Sequence, residues 1–286
     1  MARKFSSRNR VFLCGDSAHT HSSGAAQGLN TGVHDAVNLS WKLALELRGL
    51  CIPQVIETYN DERQSAVTRL LNYDKDISLL MTNKWPSWYT GDRNADPNIV
   101  LGKILDESSP FNTGLGISYS QNILNQISSS SSSATAATTD AIPGHRVPDT
   151  QLIMPCTYQP VRLHRVTHNI CKFWVIIFAG SVGPTSLTSL KNLAAYLLAN
   201  PAFASHEAIA WLTIPALVGC SSYEALGLDP FGDTYYDPEG SAHVRYGIEQ
   251  DIGGIVVTRP DGLVAFRCAI DGEEVSSYFS RFLYGI

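Results

Sequence analysis

The segment VFLCGDSAHTHSSGAAQGLNTGVHDAVNLSWKLAL, residues 11–45, holds the groups that are best suited to binding chemistry. An apolar run ends at Gly15-Asp16, and a loop of small residues then leads to a helix predicted to begin near Leu29 or Asn30. The carboxylate of Asp16 can accept hydrogen bonds from the hydroxyl groups of a sugar or ribityl chain. The unpaired N–H groups of the helix start can hold an anion, and the small residues before it leave room for close approach.

Three other interpretations of the same residues stay open. Gly15-Asp16 can be a plain turn, with a helix that only packs on a sheet. His19 and His21 form an H-x-H pair that could ligate a metal, but no third ligand is evident, so a loop histidine with ordinary partners is expected. A strand followed by Gly-Asp-Ser also resembles the opening of the GDS-type esterases, with Ser17 as the nucleophile. Such a triad needs a downstream Asp-x-x-His, which this sequence has only from Asp16 to His19.

The elements that would position these groups follow from hydrophobic periodicity. Residues 10–15 are predicted to be a buried strand, and an apolar stripe at helical spacing predicts a helix that ends before Gly49 and Pro53. The stripe that is expected to face the core consists of Val33, Ala36, Val37, Ser40, Leu43, Ala44 and Leu47. Trp41 is interpreted as core packing, and Lys42 as a cation near the negative end of the helix. A second helix is predicted from about Pro53 toward Leu80, followed by loops with short helical pieces over residues 85–127.

A run of serine, alanine and threonine at residues 128–140 has too little apolar surface to offset its ordering entropy, which predicts a flexible linker. It divides the chain into domains at 1–127 and 141–286. The second domain shows FWVIIFAG (173–180) as a strand, SLKNLAAYLLAN as a helix, HEAIAWLTIPA as a strand, a hairpin around Pro260-Asp261-Gly262 and a closing helix at VSSYFSRFL. This order is typical of a thioredoxin-like domain. SVGP stands where a redox-active member would have Cys-x-x-Cys, so thiol exchange is not expected.

Composition limits the class of protein. The chain has 286 residues, 44% of them apolar, which is enough for a sizeable core. The net charge of −5 and the lack of a sustained basic cluster argue against a nucleic-acid partner. No apolar run approaches the roughly 18 residues of a membrane span, so a cytoplasmic protein without a membrane partner is expected. The six cysteines have no metal-site spacing and are expected to be reduced and buried.

Taken together, RVFLCGDSAH, AAQGLNTGVHDAVNLSWKLAL and YNDER (59–63) resemble the second flavin-contacting region of the class A FAD-dependent aromatic hydroxylases, the phenol 2-monooxygenase branch above all. PGHRVPD, FWVIIFAG, YGIEQDIGGIVVTRPDG and SYFSRFL resemble the C-terminal thioredoxin-like domain of that branch in order and spacing. The implied fold class is α/β: a partial FAD-binding (hydroxylase-type) domain made mostly of helices, followed by a thioredoxin-like α/β domain.

The resemblance also implies a cofactor site. Asp16 would contact the ribityl and pyrophosphate part of FAD. The residues beside the flavin ring would be Ala26, Gln27, Gly28, Leu29 and Asn30. Ser23 and Ala26 stand where the family usually has proline and glycine, which changes how closely the backbone can approach the ring. NAD(P)H as reductant, O2, a phenolic small-molecule substrate and a homodimer are implied as well, whereas no catalytic residue and no metal are assigned.

The sequence departs from the family by an absence. No Gly-x-Gly-x-x-Gly follows a strand, so the turn that binds the ADP pyrophosphate is missing, and the chain resembles the last two-fifths of a hydroxylase. The remaining contacts sum to roughly 5 kcal/mol against an association cost of about 4 or more, so FAD affinity is expected to be millimolar at best. Two functions follow. The chain hydroxylates with an N-terminal Rossmann half supplied in cis or in trans, or it is a flavin-free interaction or dimerisation subunit.

Overall fold

The computed structural model describes residues 1–22, 27–126, 139–181, 183–216 and 231–286. The chain forms two compact units. The first comprises Met1–Leu43 and Ile56–Tyr119, and the second comprises Ala44–Val55 and Ser120–Ile286. Most of the linker predicted at 128–140 lies outside the described residues, so the linker and the domain boundaries beside it stay predictions.

The first unit is mainly helical. Its strands are β1 (Ser6–Ser7) and β2 (Val11–Phe12), and its helices are α1 (Gly28–Leu47), α2 (Gln54–Met81), α3 (Pro97–Glu107) and α4 (Ser109–Asn112), of which the end of α1 and the start of α2 belong to the second unit. Helix α2 begins directly after Pro53, as predicted. Asp96 caps α3 by accepting a hydrogen bond from the N–H of Asn98, and Pro97 occupies the first helical position. The short helices expected after residue 85 are therefore present.

The buried strand predicted over residues 10–15 is wrong. Only Val11–Phe12 form a strand there; this strand, β2, pairs antiparallel with β1 in a short hairpin, and Val11 is 59% exposed. A single 3-10 turn, Gly15–Ser17, follows. The apolar run instead packs one side against a small core, where the hydroxyl of Tyr59 donates to the carbonyl oxygen of Leu13 at 2.7 Å.

Helix α1 buries the face opposite to the one that periodicity predicts. Val33 is 51% exposed and Leu47 is 77% exposed, and Ala36 and Ser40 are exposed too. The buried positions are Thr31, Asp35, Asn38, Trp41, Lys42 and Leu45. Trp41 is core, as predicted, but most of this face is polar. Periodicity identifies residues that share a face, whereas the partners across the interface decide which face is covered.

The second unit is a sheet with helices. Its strands are β3 (Gln151–Ile153), β4 (Pro160–Arg162), β5 (Phe173–Gly180), β6 (Ile209–Pro215), β7 (Asp233–Thr234), β8 (Gly254–Thr258) and β9 (Val264–Cys268). Its helices are α5 (Leu163–Val166), α6 (Pro184–Ala199), α7 (Pro201–Ala204), α8 (Ser241–Arg245) and α9 (Gly272–Ser280).

Five of these strands form one sheet in the order β7-β6-β5-β8-β9. Strand β6 is parallel to β5, β8 is antiparallel to β5, and β9 is antiparallel to β8. A parallel strand–helix–strand unit followed by a hairpin and a helix is the arrangement of a thioredoxin-like domain. The predicted fold class is confirmed.

Strand β5 lies at the centre of the sheet, and all eight of its residues are buried. Trp174, Ile176 and Phe178 belong to the core on one face of the sheet. On the other face, the ring of Phe173 lies 5.5 Å from that of Phe279 on α9. A strand that is buried on both faces appears in a sequence as an unbroken apolar run, which is why FWVIIFAG was recognisable.

A buried histidine–aspartate pair fastens the end of β5. His243 on α8 is fully buried, its Nδ1 lies 2.7 Å from Oδ2 of Asp237, and its Nε2 accepts the N–H of Gly180 at 3.2 Å. Because Nε2 accepts, Nδ1 carries the proton that goes to the carboxylate. Burial alone would raise the pKa of Asp237, but the hydrogen bonds from the ring and the backbone N–H of His243 lower it below its usual value.

Among the cysteines that the structure describes, the expectation of burial holds for one thiol. All five cysteines in the described part of the chain are free, namely Cys14, Cys51, Cys156, Cys171 and Cys268. Cys51 is buried and Cys156 is exposed, while Cys220 lies outside the described residues. Among the helices that the structure describes, none combines the length and the apolar character needed to cross a bilayer.

Candidate flavin-binding site

The Gly15-Asp16 turn has a shape set by short-range hydrogen bonds. Gly15 adopts φ +59°, a region that side chains disfavour. The Oγ of Ser17 accepts the N–H of Cys14 at 3.0 Å and donates to the carbonyl of the same residue at 2.9 Å. A Cβ added to Gly32 on α1 would lie 3.6 Å from the Cα of Gly15, so the turn packs directly on the helix backbone.

Asp16 is exposed on this turn. Its carboxylate makes no hydrogen bond or ion pair with any residue that the structure describes. An exposed carboxylate of this kind is available to accept hydrogen bonds from the hydroxyl groups of a ligand. The geometry therefore suits the role predicted for Asp16.

A buried carboxylate, Asp35 on α1, holds the turn in place. Asp35 is fully buried; its Oδ2 accepts the backbone N–H of Gly15 at 2.9 Å and lies 2.7 Å from Nε2 of His19. Its Oδ1 accepts Nε of Arg63 on α2 at 2.6 Å. Burial would raise the pKa of Asp35, but the His19 hydrogen bond and the Arg63 charge together lower it. The carboxylate thus joins the turn, α1 and α2.

Arg63 continues this network away from the turn. It is 1% exposed, and its Nη1 donates to the hydroxyl of Tyr119 at 2.8 Å. Burial would lower the pKa of Arg63, but the nearby Tyr119 and Asp35 raise it, so the guanidinium stays charged. A buried ion pair that loses one partner is strongly destabilising, which makes the Asp35–Arg63 pair an orienting contact between α1 and α2.

Lys42 belongs to a second buried pair, which corrects its predicted role as a cation near the negative end of the helix. Its Nζ is fully buried, 2.7 Å from Oε2 of Glu62 and 2.8 Å from Oδ1 of Asn38. Glu62 also accepts the side-chain amide of Asn38 at 2.8 Å. Asp35 and Lys42 lie two turns apart on one face of α1, and Glu62 and Arg63 are neighbours on α2, so opposite charges meet across the two helices.

The two histidines of the H-x-H pair point to different partners. His19 uses Nε2 for Asp35, and its buried Nδ1 has no hydrogen-bond partner among the described residues. Nδ1 of His21 lies 2.7 Å from the carbonyl oxygen of Ser22. The part of the chain that the structure describes contains no group of three or more potential metal ligands.

Four of the five residues predicted beside the flavin ring lie at the start of α1; Ala26 falls outside the described residues. Asn30 Nδ2 donates to Oε1 of Gln27 at 3.2 Å, and Leu29 is 81% exposed. The backbone N–H groups of Gly28, Leu29 and Asn30 have no acceptor among the described residues. A helix start with unpaired donors carries partial positive charge, so these residues fit the electron-rich edge of a flavin.

The serine-nucleophile interpretation finds no support in this geometry. The Oγ of Ser17 is engaged in both directions with the backbone of Cys14. The nearby His19 directs Nε2 to Asp35 instead. A nucleophilic serine needs a base within hydrogen-bond reach, and none of the described histidines provides it.

Comparison with protein families decides the identity. Residues 117–218 and 218–285, more than half of the chain, match the family described as phenol hydroxylase, C-terminal dimerisation domain. The chain belongs to the phenol hydroxylase family. Residues 1–74 match the FAD binding domain, which includes the turn, Asp35 and Arg63.

Curated relatives match nearly the whole chain. The FAD-dependent monooxygenase terD of Aspergillus terreus is 28% identical, covering 99% of this chain and 50% of its own length. The phenol 2-monooxygenase fsqG of Aspergillus fumigatus is 25% identical, covering 95% of this chain and 47% of its own length. The chain therefore spans about half the length of the curated relatives it matches.

Solved structures show the same fold. The flavin-dependent monooxygenase PieE, crystallised with FAD and substrate, superposes with a TM-score of 0.63 at 20% identity, covering 98% of this chain and 49% of that chain. The fold that this chain shares with it agrees with the predicted fold class, a partial FAD-binding unit followed by a thioredoxin-like domain.

Sequence reasoning missed the residues that organise the site. Asp35, Arg63 and Glu62 were not singled out, and Lys42 was given another role. A signal was present in the sequence, because one face of α1 and the YNDER segment of α2 carry complementary charges. These charges predict that the two helices bury them together only if α1 and α2 are assumed to pack against each other. That assumption is tertiary information, which one sequence does not contain.

Proposed function

We propose that this chain forms one wall of the FAD site of an aromatic monooxygenase of the phenol hydroxylase type. The match of residues 1–74 to the FAD binding domain supports this, together with the exposed, unpaired carboxylate of Asp16. Asp16 accepts hydrogen bonds from the ribityl hydroxyls. The residues that would lie beside the ring are Ala26, Gln27, Gly28, Leu29 and Asn30.

The proposed reaction hydroxylates a phenolic or other aromatic substrate with NAD(P)H and O2. Bound FAD supplies the redox chemistry, passing electrons from NAD(P)H to O2. The contribution of this chain is positional and electrostatic. The positive end of α1 stabilises negative charge on the neighbouring ring, and the Asp35 network holds the turn that carries Asp16 in one orientation.

We further propose that the ADP-binding part of the site comes from an N-terminal Rossmann half, either in the same polypeptide or in trans. Residues 1–286 contain no Gly-x-Gly-x-x-Gly after a strand, and the curated relatives are about twice as long as the matched part. The thioredoxin-like domain, predicted at 141–286, joins two copies in a homodimer, and the enzyme works in the cytosol.

A second candidate is a flavin-free dimerisation subunit. The observation that favours it is the extent of the matches. The dimerisation family accounts for more than half of the chain, whereas the match to the FAD binding domain ends at residue 74. On this alternative the unit around Asp16 keeps its fold without a cofactor.

FAD titration separates the two candidates. The chain is mixed with the N-terminal half of the Aspergillus terreus relative, and FAD binding is followed by quenching of flavin fluorescence. The hydroxylase function predicts that adding the chain tightens FAD binding and that Asp16→Asn weakens it at least about tenfold. Asp106→Asn on α3, also an exposed carboxylate, serves as the control. If the wild-type chain leaves the FAD affinity of the mixture unchanged, the flavin-free subunit is the better description.

A further inference from the structure

One face of helix α1 is apolar and open to solvent. This surface, the outer face of α1, consists of Leu29, Val33, Ala36, Val37 and Ser40. The spacing of four, three, one and three residues places them on one side of the helix. Leu29 and Val33 are 81% and 51% exposed, and the outer face contains no charged residue. Contiguous exposed apolar surface on a protein marks an interaction site, whereas scattered single apolar residues do not.

The neighbouring helix, α2, does not expose apolar residues in this way. The exposed positions of α2 in its first five turns are mostly polar or charged, and they include Glu57, Asp61, Ser65, Thr68 and Arg69. Helix α2 therefore has the polar exterior expected of a helix that faces water. Helix α1 has such residues on its inner face instead.

The ion pairs prevent α1 from turning its apolar face inward. Rotation of the helix would carry Asp35 and Lys42 outward and leave Arg63 and Glu62 in the interior without these ion-pair partners. Breaking a buried pair costs more than leaving a leucine or a valine exposed, and the rotation would break two pairs. The outer face is thus fixed toward the outside and needs a separate body to cover it.

We infer that the outer face of α1 is the docking surface for the N-terminal half of the FAD-binding domain, an inference that rests on the proposed function. The outer face starts at Leu29, within the proposed flavin wall, so a body seated on it borders the same cofactor space. The curated relatives contain about as much additional chain as this one supplies. An uncharged face suits the apolar side of a β–α–β unit, because no charge on α1 is desolvated by the contact.

A second copy of this chain has a different surface available. The family match that describes dimerisation covers residues 117–218 and 218–285, and α1 lies before both ranges. The outer face of α1 is therefore assigned to the flavin-domain half and not to the dimer.

Thiol labelling tests the assignment. A fusion places the N-terminal half of the Aspergillus terreus relative, the part that this chain does not match, upstream of residues 1–286 through a flexible linker. Val33→Cys is labelled with a maleimide in the chain alone and in the fusion, without FAD, and the modified peptide is quantified by mass spectrometry. Thr68→Cys on the exposed face of α2 is the matched control.

Docking predicts that position 33 is labelled at least about tenfold more slowly in the fusion than in the chain alone, while position 68 reacts equally in both. Equal labelling of position 33 in the two proteins overturns the inference. Slow labelling in the chain alone that accelerates on dilution also overturns it, because a second copy would then be the occupant.

An aspartate variant gives an independent reading. Val33→Asp is expected to restore fast labelling of a Val37→Cys reporter in the fusion and to leave the melting temperature of the chain alone unchanged, since position 33 is half exposed. Thr68→Asp should have neither effect. FAD titration of the same fusion distinguishes the docking surface from the proposed function. Slow labelling of position 33 without FAD binding would contradict the proposed function and support the docking surface. FAD binding with fast labelling of position 33 would support the proposed function and contradict the docking surface.

Discussion

Helix α1 and strand β5 are both rich in apolar residues, but they differ in which of their residues are buried. Every residue of β5 is buried by elements of its own unit. Helix α1 buries charged and polar residues and leaves Leu29 and Val33 exposed. The sheet unit thus completes its own core, whereas the orientation of α1 is set by ion pairs. An element held in this way can present an apolar face to another body.

The two units also share a structural feature, a buried aspartate–histidine pair. Each has a buried aspartate beside a buried histidine, Asp35 with His19 in the first unit and Asp237 with His243 in the second. In both, the carboxylate accepts a backbone N–H as well. The difference lies in the third partner, because only Asp35 has an arginine in an ion pair. The first unit is accordingly more sensitive to loss of its charge.

The largest expected effect is loss of that charge. Asp35→Ala leaves Arg63 buried without its carboxylate and is expected to lower the free energy of unfolding by about 3–5 kcal/mol. Urea denaturation of the chain measures the change. Asp106→Ala on the exposed surface of α3 should change it by less than about 0.5 kcal/mol. A cost below about 1 kcal/mol for Asp35→Ala would contradict the idea that ion pairs orient α1.

The next comparison sets an apolar residue of β5 against one of α1. Ile176→Ala removes a fully buried side chain and is expected to cost about 2–5 kcal/mol, since it leaves a cavity in the sheet core. Val33→Ala, on the outer face of α1, should be within about 0.5 kcal/mol of the wild type. Thermal melts of both variants give the contrast. Comparable losses would mean that Val33 is packed in the chain alone.

A smaller effect is expected at the turn. Gly15→Ala forces a side chain into the left-handed region at φ +59° and is expected to cost about 1–2 kcal/mol. Gly32→Ala places its Cβ in ordinary contact with the turn, 3.6 Å from Gly15, so the helix gain of about 0.5–1 kcal/mol should be retained. Urea denaturation should show a lower free energy of unfolding for Gly15→Ala and a higher one for Gly32→Ala. A loss for Gly32→Ala would show that the turn packs more tightly than the distance suggests.

The last prediction concerns the loss of folding stability in acid, which has no effect on the free energy of unfolding at neutral pH. Asp35 and Asp237 both have a pKa that is lowered in the folded state. Their contribution is therefore complete above the unfolded pKa of about 3.9 and is lost as the pH falls through the folded values. Unfolding free energies measured from about pH 6 to about pH 2 should fall in this acid range. Asp237→Asn should flatten part of that fall; an unchanged profile would exclude the carboxylate as its source.

An element could be predicted from the sequence where its local hydrophobic pattern agrees with the way it is buried in the folded chain. Strand β5 and helix α2 were predicted because an unbroken apolar run and a long helical pattern after Pro53 allow few alternatives. The strand at residues 10–15 failed because its apolar side chains pack on Tyr59 while the backbone turns at Gly15. The site residues at the start of α1 stay a prediction that rests on resemblance, and the Asp35 network beside them was not predicted at all.

The sequence by itself determined the long helices and the central strands, the thioredoxin-like order of the second unit and the family to which the chain belongs, because these depend on local patterns and motifs. Only the tertiary structure decided which face of α1 is covered and that Lys42 and Asp35 are buried. The physical reason is that the burial of a charge depends on the partner that meets it. Arg63 and Glu62 meet α1 only after α2 has packed against it.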